Sequence, residues 1–297
     1  MPHAFRWIGK SADGETVTLR RFSGQFSLPE VSFTNEAERL ERTRKGAVLD
    51  VETTGFRPGI DAIIEIGVRF FTFDRLSGKV LEVGESVSAF EDPGRPIPPE
   101  ITRLTGITDE DVRGQRIPWS TLGEALQGVD LIVAHNARFD RPFVELRLPE
   151  LSQKIWGCSL DQIAWSQKGF PSAKLEFLAF FHGFFVDAHR ALEDADALLH
   201  LLTFEGAASG RTYLNELLVN ARRSRAWILA LSSPFEKKDE LKRRGYIWDT
   251  QKKTWMRMLY LDEWEEERAW LEEVVYNGDF LGRVREIPLQ DLYKRDA

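Results

Sequence analysis

Residues 46–55 read GAVLDVETTG, an apolar run that ends in two carboxylates and a glycine. Side chains alternate along a strand, so Asp50 and Glu52 project from one face while their apolar neighbours project from the other. Two adjacent carboxylates repel each other unless a positive charge lies between them, and a divalent cation would supply that charge. Gly55 lets the backbone approach a ligand closely. A solvated strand end is the alternative interpretation, and the motif alone does not decide between the two.

The pattern after this stretch predicts a layered α/β domain. Ala62–Phe73 and Lys79–Phe90 have the composition of strands, and the short turns between the three strands predict an antiparallel meander. Leu131–Ala134 predicts a short buried strand, and apolar spacing predicts several helices, including Ala191–Phe204. Strands followed by mixed elements and then by helices predict a mixed sheet in a domain that ends near residue 206.

A second polar motif, HNARFD, occupies residues 135–140, directly after the short apolar strand. Asp140 would then lie in the first turn of a helix, where the helix dipole stabilises an acid. Support of the helix start is the alternative interpretation of Asp140, and for this motif alone it is the preferred one.

A third motif, HRALED, occupies residues 189–194. Asp194 opens a helix that has an apolar side, and His189 lies just before that helix. A helix cap for His189 and a solvated acid for Asp194 are the alternatives. The motifs follow one another with 90 residues from Asp50 to Asp140 and 54 from there to Asp194. This order and spacing is a stronger signal than any single motif.

Together the motifs resemble the DEDDh branch of the DnaQ-like exonucleases. That family has Asp-x-Glu followed by Thr-Gly, then His-Asn-x-x-Phe-Asp, then His-x-Ala-x-x-Asp, and all three patterns stand in this chain. His189, rather than a tyrosine, indicates the h branch, and Ala191 occupies its expected position. PPEITRLTGIT (98–108) and KLEFLAFFHGF (174–184) also resemble family segments. The resemblance covers residues 45–206.

The resemblance implies a ribonuclease H-like fold, a mixed five-stranded sheet flanked by helices. It also implies a 3′→5′ exonuclease that releases nucleoside 5′-monophosphates with two divalent cations, Mg²⁺ or Mn²⁺, for which oxygen ligands are suitable. By the same resemblance His189 is the general base that takes a proton from the attacking water. The implied catalytic and metal-binding carboxylates are Asp50, Glu52, Asp140 and Asp194.

Substrate contacts are implied for residues beside these motifs. Phe56 could stack against the last base, as aromatic side chains do on single strands, or could fold back on the core as an ordinary loop residue. Asn136 could contact the substrate or could instead cap the helix that follows it. The implied substrate-binding residues are Thr53, Thr54, Gly55, Phe56, His135 and Asn136.

Two further regions flank the exonuclease-like segment, which we place at residues 45–206. Residues 1–44 are interpreted as an extension, in which Asp13-Gly14 predicts a turn and so a short hairpin. Residues 207–297 predict a small α+β accessory domain. A helix predicted at Thr212–Arg223 could belong to either side.

Charge and aromatic residues suggest a role for the accessory domain. Between Glu205 and Tyr260 the chain has twelve Lys or Arg and six Asp or Glu, and such basic segments could contact phosphates. Trp248 and Trp255 could stack on bases. The alternative is that both tryptophans form the core of a small domain and that the lysines are solvated.

Composition is that of a globular protein. The chain has 297 residues, 42% of them hydrophobic, which is enough for a core of ordinary size. Its net charge of −7 argues against non-specific coating of DNA, although a carboxylate-rich metal site is itself negative until the metals bind. The single cysteine, Cys158, is expected to be buried, and it excludes an intrachain disulfide. No apolar run suits a membrane helix, and we expect a cytoplasmic protein.

Three functions remain open at this stage. A DNA exonuclease for repair, proofreading or end trimming is favoured, with a nucleic acid that has a 3′ end as partner and single-stranded DNA preferred. An RNA-trimming exonuclease would use the same chemistry, and no motif reads the 2′-hydroxyl. An inactive family member that serves as a binding or scaffold protein is the third, and the complete set of five site residues argues against it. The sequence identifies no protein partner.

Overall fold

The structure, a computed structural model, describes residues 9–13, 15–186, 189–206 and 210–295. Contacts divide these residues into two compact units, each with its own hydrophobic core. The first unit contains the described residues up to Ala221 together with residues 293–295. The second unit contains Arg222–Leu292.

The elements of the first unit are short at its beginning and long in its central sheet. Its strands are β1 (Gly9–Lys10), β2 (Val17–Thr18), β3 (Arg20–Arg21), β4 (Thr43–Thr53), β5 (Ile63–Asp74), β6 (Val80–Phe90), β7 (Leu131–Ala134), β8 (Trp156–Cys158) and β9 (Phe184–Phe185). Its α-helices are α1 (Glu36–Arg42), α2 (Pro99–Thr105), α3 (Asp109–Val112), α4 (Trp119–Gln127), α5 (Ala137–Arg147), α6 (Ser159–Gln162), α7 (Leu175–Phe181), α8 (Ala191–Thr203) and α9 (Tyr213–Ala221), and 3₁₀ turns lie at Pro149–Gln153 and Ser166–Lys168.

The central sheet has five strands in the order β6-β5-β4-β7-β8. β6, β5 and β4 pair antiparallel as the predicted meander, whereas β4, β7 and β8 pair parallel, so the sheet is mixed. The predicted α/β class and the ribonuclease H-like five-stranded sheet are therefore confirmed. The strand β8 was not predicted, because three residues are too short to show a period.

Helix α8 packs against β4 and β5 and contributes much of the main core. Gly67 of β5 makes this packing possible, because a Cβ built there would lie 2.1 Å from the backbone nitrogen of Leu192. Side chains of any other residue would therefore push the start of α8 away from the sheet. Since Asp194 lies in the first turn of α8, this close approach also brings its carboxylate to the sheet.

The extension at the beginning of the chain packs on the rest of the first unit. β1 pairs antiparallel with β2, and the predicted turn lies between them, with Gly14 outside the described residues. β3 pairs parallel with β9. Phe22 stacks on His200 of α8 with a centroid separation of 4.3 Å. These contacts continue the main core toward the segment that precedes α1.

The second unit is a four-stranded antiparallel sheet with helices. Its core contains apolar side chains from strands and helices, among them Ile228, Leu241 and Leu271. The sheet order is β11-β12-β10-β13, so β11 and β13 are the two edges. Its elements are β10 (Arg225–Ala230), a 3₁₀ turn (Phe235–Lys237), α10 (Lys238–Arg243), β11 (Ile247–Asp249), β12 (Thr254–Tyr260), a 3₁₀ turn (Leu261–Glu263), α11 (Trp264–Trp270), which continues as a π-helix (Leu271–Tyr276), β13 (Arg283–Ile287) and a 3₁₀ turn (Leu289–Asp291).

Three details of the second unit extend the sequence interpretation. α9, which could have belonged to either side, packs with the first unit, so the division falls after Ala221. β13 was not predicted, because its RVREI sequence alternates only weakly. The two tryptophans differ in exposure: Trp255 packs against the core, whereas 48% of Trp248 is exposed.

In the described residues, every helix is too short or too polar to cross a membrane.

Candidate active site

Three of the predicted carboxylates converge at the end of β4. Asp50 and Glu52 lie two residues apart on this strand, and Asp194 approaches them from the first turn of α8. One carboxylate oxygen from each residue lies within 4.8 Å of the corresponding oxygens of the other two. Residues 144 positions apart in the sequence thus form a single acidic group in the folded chain.

The electrostatics of this group are unfavourable without a cation. Burial, and then repulsion from Asp140 and Asp194, raise the pKa of Asp50 well above its ordinary value. Burial and the Asp194 carboxylate raise the pKa of Glu52 to about 8. Burial raises the pKa of Asp194 to about 6, although the backbone N–H of His189 opposes this. Such shifts mean that the fold disfavours simultaneous ionisation of the three carboxylates.

Asp140 lies beside the group but uses one oxygen for the backbone. It is buried near the start of α5, and its Oδ1 accepts a hydrogen bond from the Val51 N–H at 3.2 Å. The pairing of β4 with β7 ends at Val48, so Asp140 takes the place of a strand partner further along β4. Burial raises the pKa of Asp140 to about 7. Asp140 therefore lies close enough to Asp50 to repel it, and the three converging oxygens come from the other carboxylates.

The donor set fits a hard divalent cation. All three converging groups are carboxylates, the ligands that Mg²⁺ and Mn²⁺ prefer, and no imidazole or thiol stands among them. Within the described part of the chain, no lysine or arginine forms an ion pair with Asp50, Glu52 or Asp194. A bound cation would relieve the repulsion that raises their pKa values.

His189 is held by its backbone directly beside the group. Its N–H donates to Oδ2 of Asp194 at 2.8 Å, and its φ of 70° lies in the left-handed region, which is uncommon for a residue other than glycine. A residue kept in this conformation indicates that surrounding contacts over-determine the turn. The turn places the backbone of His189 next to the Asp194 carboxylate.

Glu65 is a residue of this region that the sequence interpretation missed. Its carboxylate is 1% exposed and accepts hydrogen bonds from the Arg190 guanidinium at 3.1 Å and from the Ala191 N–H at 3.1 Å. In the β4–β5 register it lies opposite Glu52. Glu65 thus anchors the two residues that follow His189 to the sheet. A lone acid inside the apolar run AIIEIGVRFF was the signal that could have identified it.

Residues 53–55, after Glu52, mainly make contacts within the loop that follows β4. The Thr53 hydroxyl donates to the Gly55 carbonyl at 2.6 Å, and the buried Thr54 hydroxyl accepts from the Ala62 N–H at 3.0 Å. A Cβ at Gly55 would lie 2.6 Å from the carboxylate of Asp61, so the close approach that glycine allows here is to that side chain. The structure thus assigns loop contacts to these predicted substrate residues.

Phe56 and Asn136 are open to solvent. Phe56 is 80% exposed and touches Phe139 in an edge-to-face contact with centroids 6.2 Å apart, so it is not folded back into the core. Asn136 is the residue before α5, but its side chain makes no capping hydrogen bond and is exposed. Both side chains are available to a ligand.

His135, in contrast, is fully engaged inside the protein. Its Nε2 faces the Ala173 carbonyl at 2.8 Å and must donate, so its Nδ1 accepts from the Ser159 hydroxyl at 2.8 Å. Burial lowers the pKa of His135 to about 4, which keeps the ring neutral. The structure gives His135 a positioning role between the start of α6 and the segment that contains Ala173. Cys158 is buried, as expected, and burial raises the pKa of its thiol to about 11.

Comparisons with known proteins agree with this geometry. A family model described as Exonuclease (RNase_T) matches residues 47–202. The chain is 34% identical over 163 residues to a DNA polymerase III PolC-type protein of Clostridium perfringens (strain 13 / Type A), an alignment that covers 53% of this chain and 11% of that protein. It is 30% identical over 204 residues to the protein of the same description from Bacillus subtilis (strain 168), which covers 65% of this chain and 14% of that protein.

The chain thus spans only a small part of the length of these relatives. Among solved structures, the zinc ion bound form of an E. coli ExoI–ssDNA complex has a TM-score of 0.50 at 14% identity, covering 74% of this chain and 64% of that one. At that identity the likeness shows the fold. Because the family match spans more than half of the chain and includes all three motifs, this chain belongs to the DnaQ-like exonuclease family of the ribonuclease H-like superfamily.

Proposed function

We propose that this chain is a metal-dependent 3′→5′ exonuclease that removes nucleoside 5′-monophosphates from DNA 3′ ends. The observation that carries the proposal is the convergence of Asp50, Glu52 and Asp194 at the end of β4, where no lysine or arginine of the described residues forms an ion pair with them. The description of its relatives as DNA polymerase III favours DNA over RNA as substrate.

The reaction is an in-line displacement at phosphorus. The oxygen of water forms a bond to the phosphorus of the terminal nucleotide, and the bond from that phosphorus to the O3′ of the penultimate nucleotide breaks. Two divalent cations, when bound, supply positive charge to the attacking and the leaving oxygens. The carboxylates of Asp50, Glu52 and Asp194 would hold these cations, with Asp140 fixing the end of β4 and adding negative charge near Asp50.

His189 would take the proton from the attacking water. Its backbone contact with Asp194 keeps the imidazole near the ligands, and Glu65 anchors the following turn through Arg190. General-base catalysis of this kind contributes about 10²–10⁴-fold to the rate.

Phe56 and Asn136 would contact the terminal nucleotide. Both are exposed, and an aromatic ring as open as Phe56 can stack on a base. Thr54 and Gly55 contribute indirectly, since their contacts with Ala62 and Asp61 shape the loop that carries Phe56.

A product assay tests the proposal. DNA and RNA oligonucleotides, single-stranded or duplex and labelled at either end, are incubated with Mg²⁺ or Mn²⁺ and with chelator. We expect 5′-labelled DNA to shorten one nucleotide at a time, and 3′-labelled DNA to release a labelled 5′-mononucleotide at once. Asp194→Asn serves as the inactive control.

Each other outcome has a distinct meaning. Cleavage that persists in chelator, or release from the 5′ end first, would contradict the proposal. Faster cleavage of RNA would replace it by the RNA-trimming alternative. Binding of single strands without any hydrolysis would favour the inactive scaffold.

A further inference from the structure

The second unit exposes aromatic and apolar side chains in one segment. Among its described residues, the large apolar side chains that are most exposed include Phe235 (75%), Ile247 (60%) and Trp248 (48%). These three lie within fourteen residues, around α10 and the edge strand β11. Exposed apolar side chains that cluster in one segment are typical of an interaction surface.

Aromatic rings lie beside lysines on this surface. Nζ of Lys238 lies 4.4 Å from the centre of the Phe235 ring. Lys242, one helical turn further along α10, places its Nζ 5.9 Å from the centre of the Trp255 ring. Trp255 in turn meets Trp248 edge to face, with centroids 5.5 Å apart. We call this set of side chains, Phe235, Lys238, Lys242, Trp255 and Trp248, the aromatic–lysine stripe.

Basic and acidic residues of the second unit lie in different segments, and the basic segment is the one that carries the stripe. From Phe235 to Arg257 there are eight Lys or Arg and four Asp or Glu, whereas from Asp262 to Glu273 there are seven Asp or Glu and one Arg. The acidic helix neutralises Arg244 and Arg257 through Glu267. Lys242 and Lys253 form no ion pair with any described residue, and both are exposed. Their charges are therefore available to an anionic partner.

We propose that the aromatic–lysine stripe binds single-stranded nucleic acid. Exposed aromatic rings stack on bases regardless of sequence, and lysines between them contact the phosphates. A duplex would offer the phosphates but not the base faces, so the combination of exposed rings and cations fits a single strand. The inference rests on the proposed function in one respect, because the strand bound here would be the substrate or its continuation.

Binding measurements on the full chain test this surface separately from catalysis. The probe is a long fluorescent single strand of mixed sequence, titrated in chelator so that no cleavage occurs. We expect Trp248→Ala to weaken its binding about 5- to 150-fold, the range for loss of one stacking ring, and Trp248→Phe to restore most of it. Leu281→Ala, at another exposed apolar side chain of the same unit, is the matched control and should bind like wild type.

Salt dependence tests the lysines. For Lys242→Gln with Lys253→Gln we expect the slope of log affinity against log salt to fall by about 1.4, since each lost contact to a single strand contributes about 0.7. Arg283→Gln with Arg285→Gln removes the same charge from the opposite edge strand β13 and should leave the slope unchanged.

The outcomes separate the two proposals. Unchanged affinity and slope in the stripe variants, with normal hydrolysis of a trinucleotide, would overturn the surface and leave the exonuclease proposal intact. Stripe-dependent binding in a chain that hydrolyses nothing would overturn the exonuclease proposal and support the surface. An equal loss of duplex binding in Trp248→Ala would overturn the assignment to single strands.

Discussion

The β4–β5 strand pair carries carboxylates at both of its ends. At one end Asp74 is fully buried, and the Arg42 guanidinium binds both of its oxygens, at 3.0 and 2.5 Å. Although burial alone would raise it, these bonds and the Ser77 hydroxyl lower the pKa of Asp74. At the other end Asp50 and Glu52 face a further carboxylate, and their pKa values are raised.

The difference separates two uses of the same side chain. A buried carboxylate with a bidentate arginine is satisfied within the fold and ties two elements together. A group of carboxylates that repel one another opposes folding, and it persists only where the rest of the domain is stable enough to hold it. The unsatisfied end is therefore the one that we assign to chemistry, and five experiments can break or sharpen that assignment.

The largest effect is expected for Asp50→Asn at the unsatisfied end. The rate should fall on the order of 10⁴-fold or more, because the variant removes a shared cation ligand. The melting temperature in chelator should stay the same or rise, because a repelling charge is gone. The product assay measures the rate. Calorimetry measures the melting temperature in chelator and in Mg²⁺, and Mg²⁺ should stabilise the wild type and not the variant. A variant that is unfolded in chelator would show that Asp50 is structural.

His189→Ala should slow hydrolysis by about 10²–10⁴-fold, the share of a general base. Since the contact to Asp194 comes from the backbone of His189, Mg²⁺ should still stabilise this variant as it does the wild type. Single-turnover rates together with melting curves in Mg²⁺ test both expectations. Loss of the Mg²⁺ effect would mean that the imidazole helps to hold the cation.

Asp74→Asn should act at the satisfied end and only on stability. We expect the free energy of unfolding to fall by about 3 kcal/mol, because Arg42 would lose a buried partner. Urea unfolding gives this value, and the rate per folded molecule at low temperature should equal that of the wild type. A selective loss of rate would contradict the separation of the two ends.

Glu65 stands between the two cases, since it is paired with an arginine yet lies opposite Glu52. As a positioning residue it should affect the turnover number more than the KM: Glu65→Gln should lower turnover about 10- to 100-fold, because the turn at His189 loses its anchor. Asp196→Asn is the matched control, because it breaks a similar pair with Arg69 that does not reach His189. Equal losses of turnover in both variants would reduce Glu65 to a stability role.

His200 is a third case, in which burial favours the neutral form of an ionisable side chain. Burial lowers the pKa of His200 to about 4, and its ring packs among phenylalanines, with Arg20 and Arg21 lining the same cavity. Because the folded pKa is below the unfolded value of about 6.5, this contribution to stability is present above pH 6.5 and is lost as the pH falls toward 4. The free energy of unfolding of His200→Phe, measured in urea and relative to that of the wild type, should therefore rise by about 2 kcal/mol from pH 7.5 to pH 5. An unchanged difference would mean that His200 titrates normally.

The sequence by itself determined the motifs and the long elements that carry them. Alternation along GAVLDVET places Asp50 and Glu52 on one face, because the period of a strand is a local property. Apolar spacing in the same way located α8, and with it Asp194 in a first helical turn. The order of these motifs was sufficient to identify the family, which the match over residues 47–202 confirmed.

Only the tertiary structure decided which charges meet. The pairs of Arg190 with Glu65 and of Arg69 with Asp196 join residues more than one hundred positions apart, and no local pattern specifies such partners. The same holds for Gly67, whose importance comes from the backbone of α8 lying against it. Charge compensation depends on distance in space, so the contrast between a satisfied and an unsatisfied carboxylate exists only once the chain has folded.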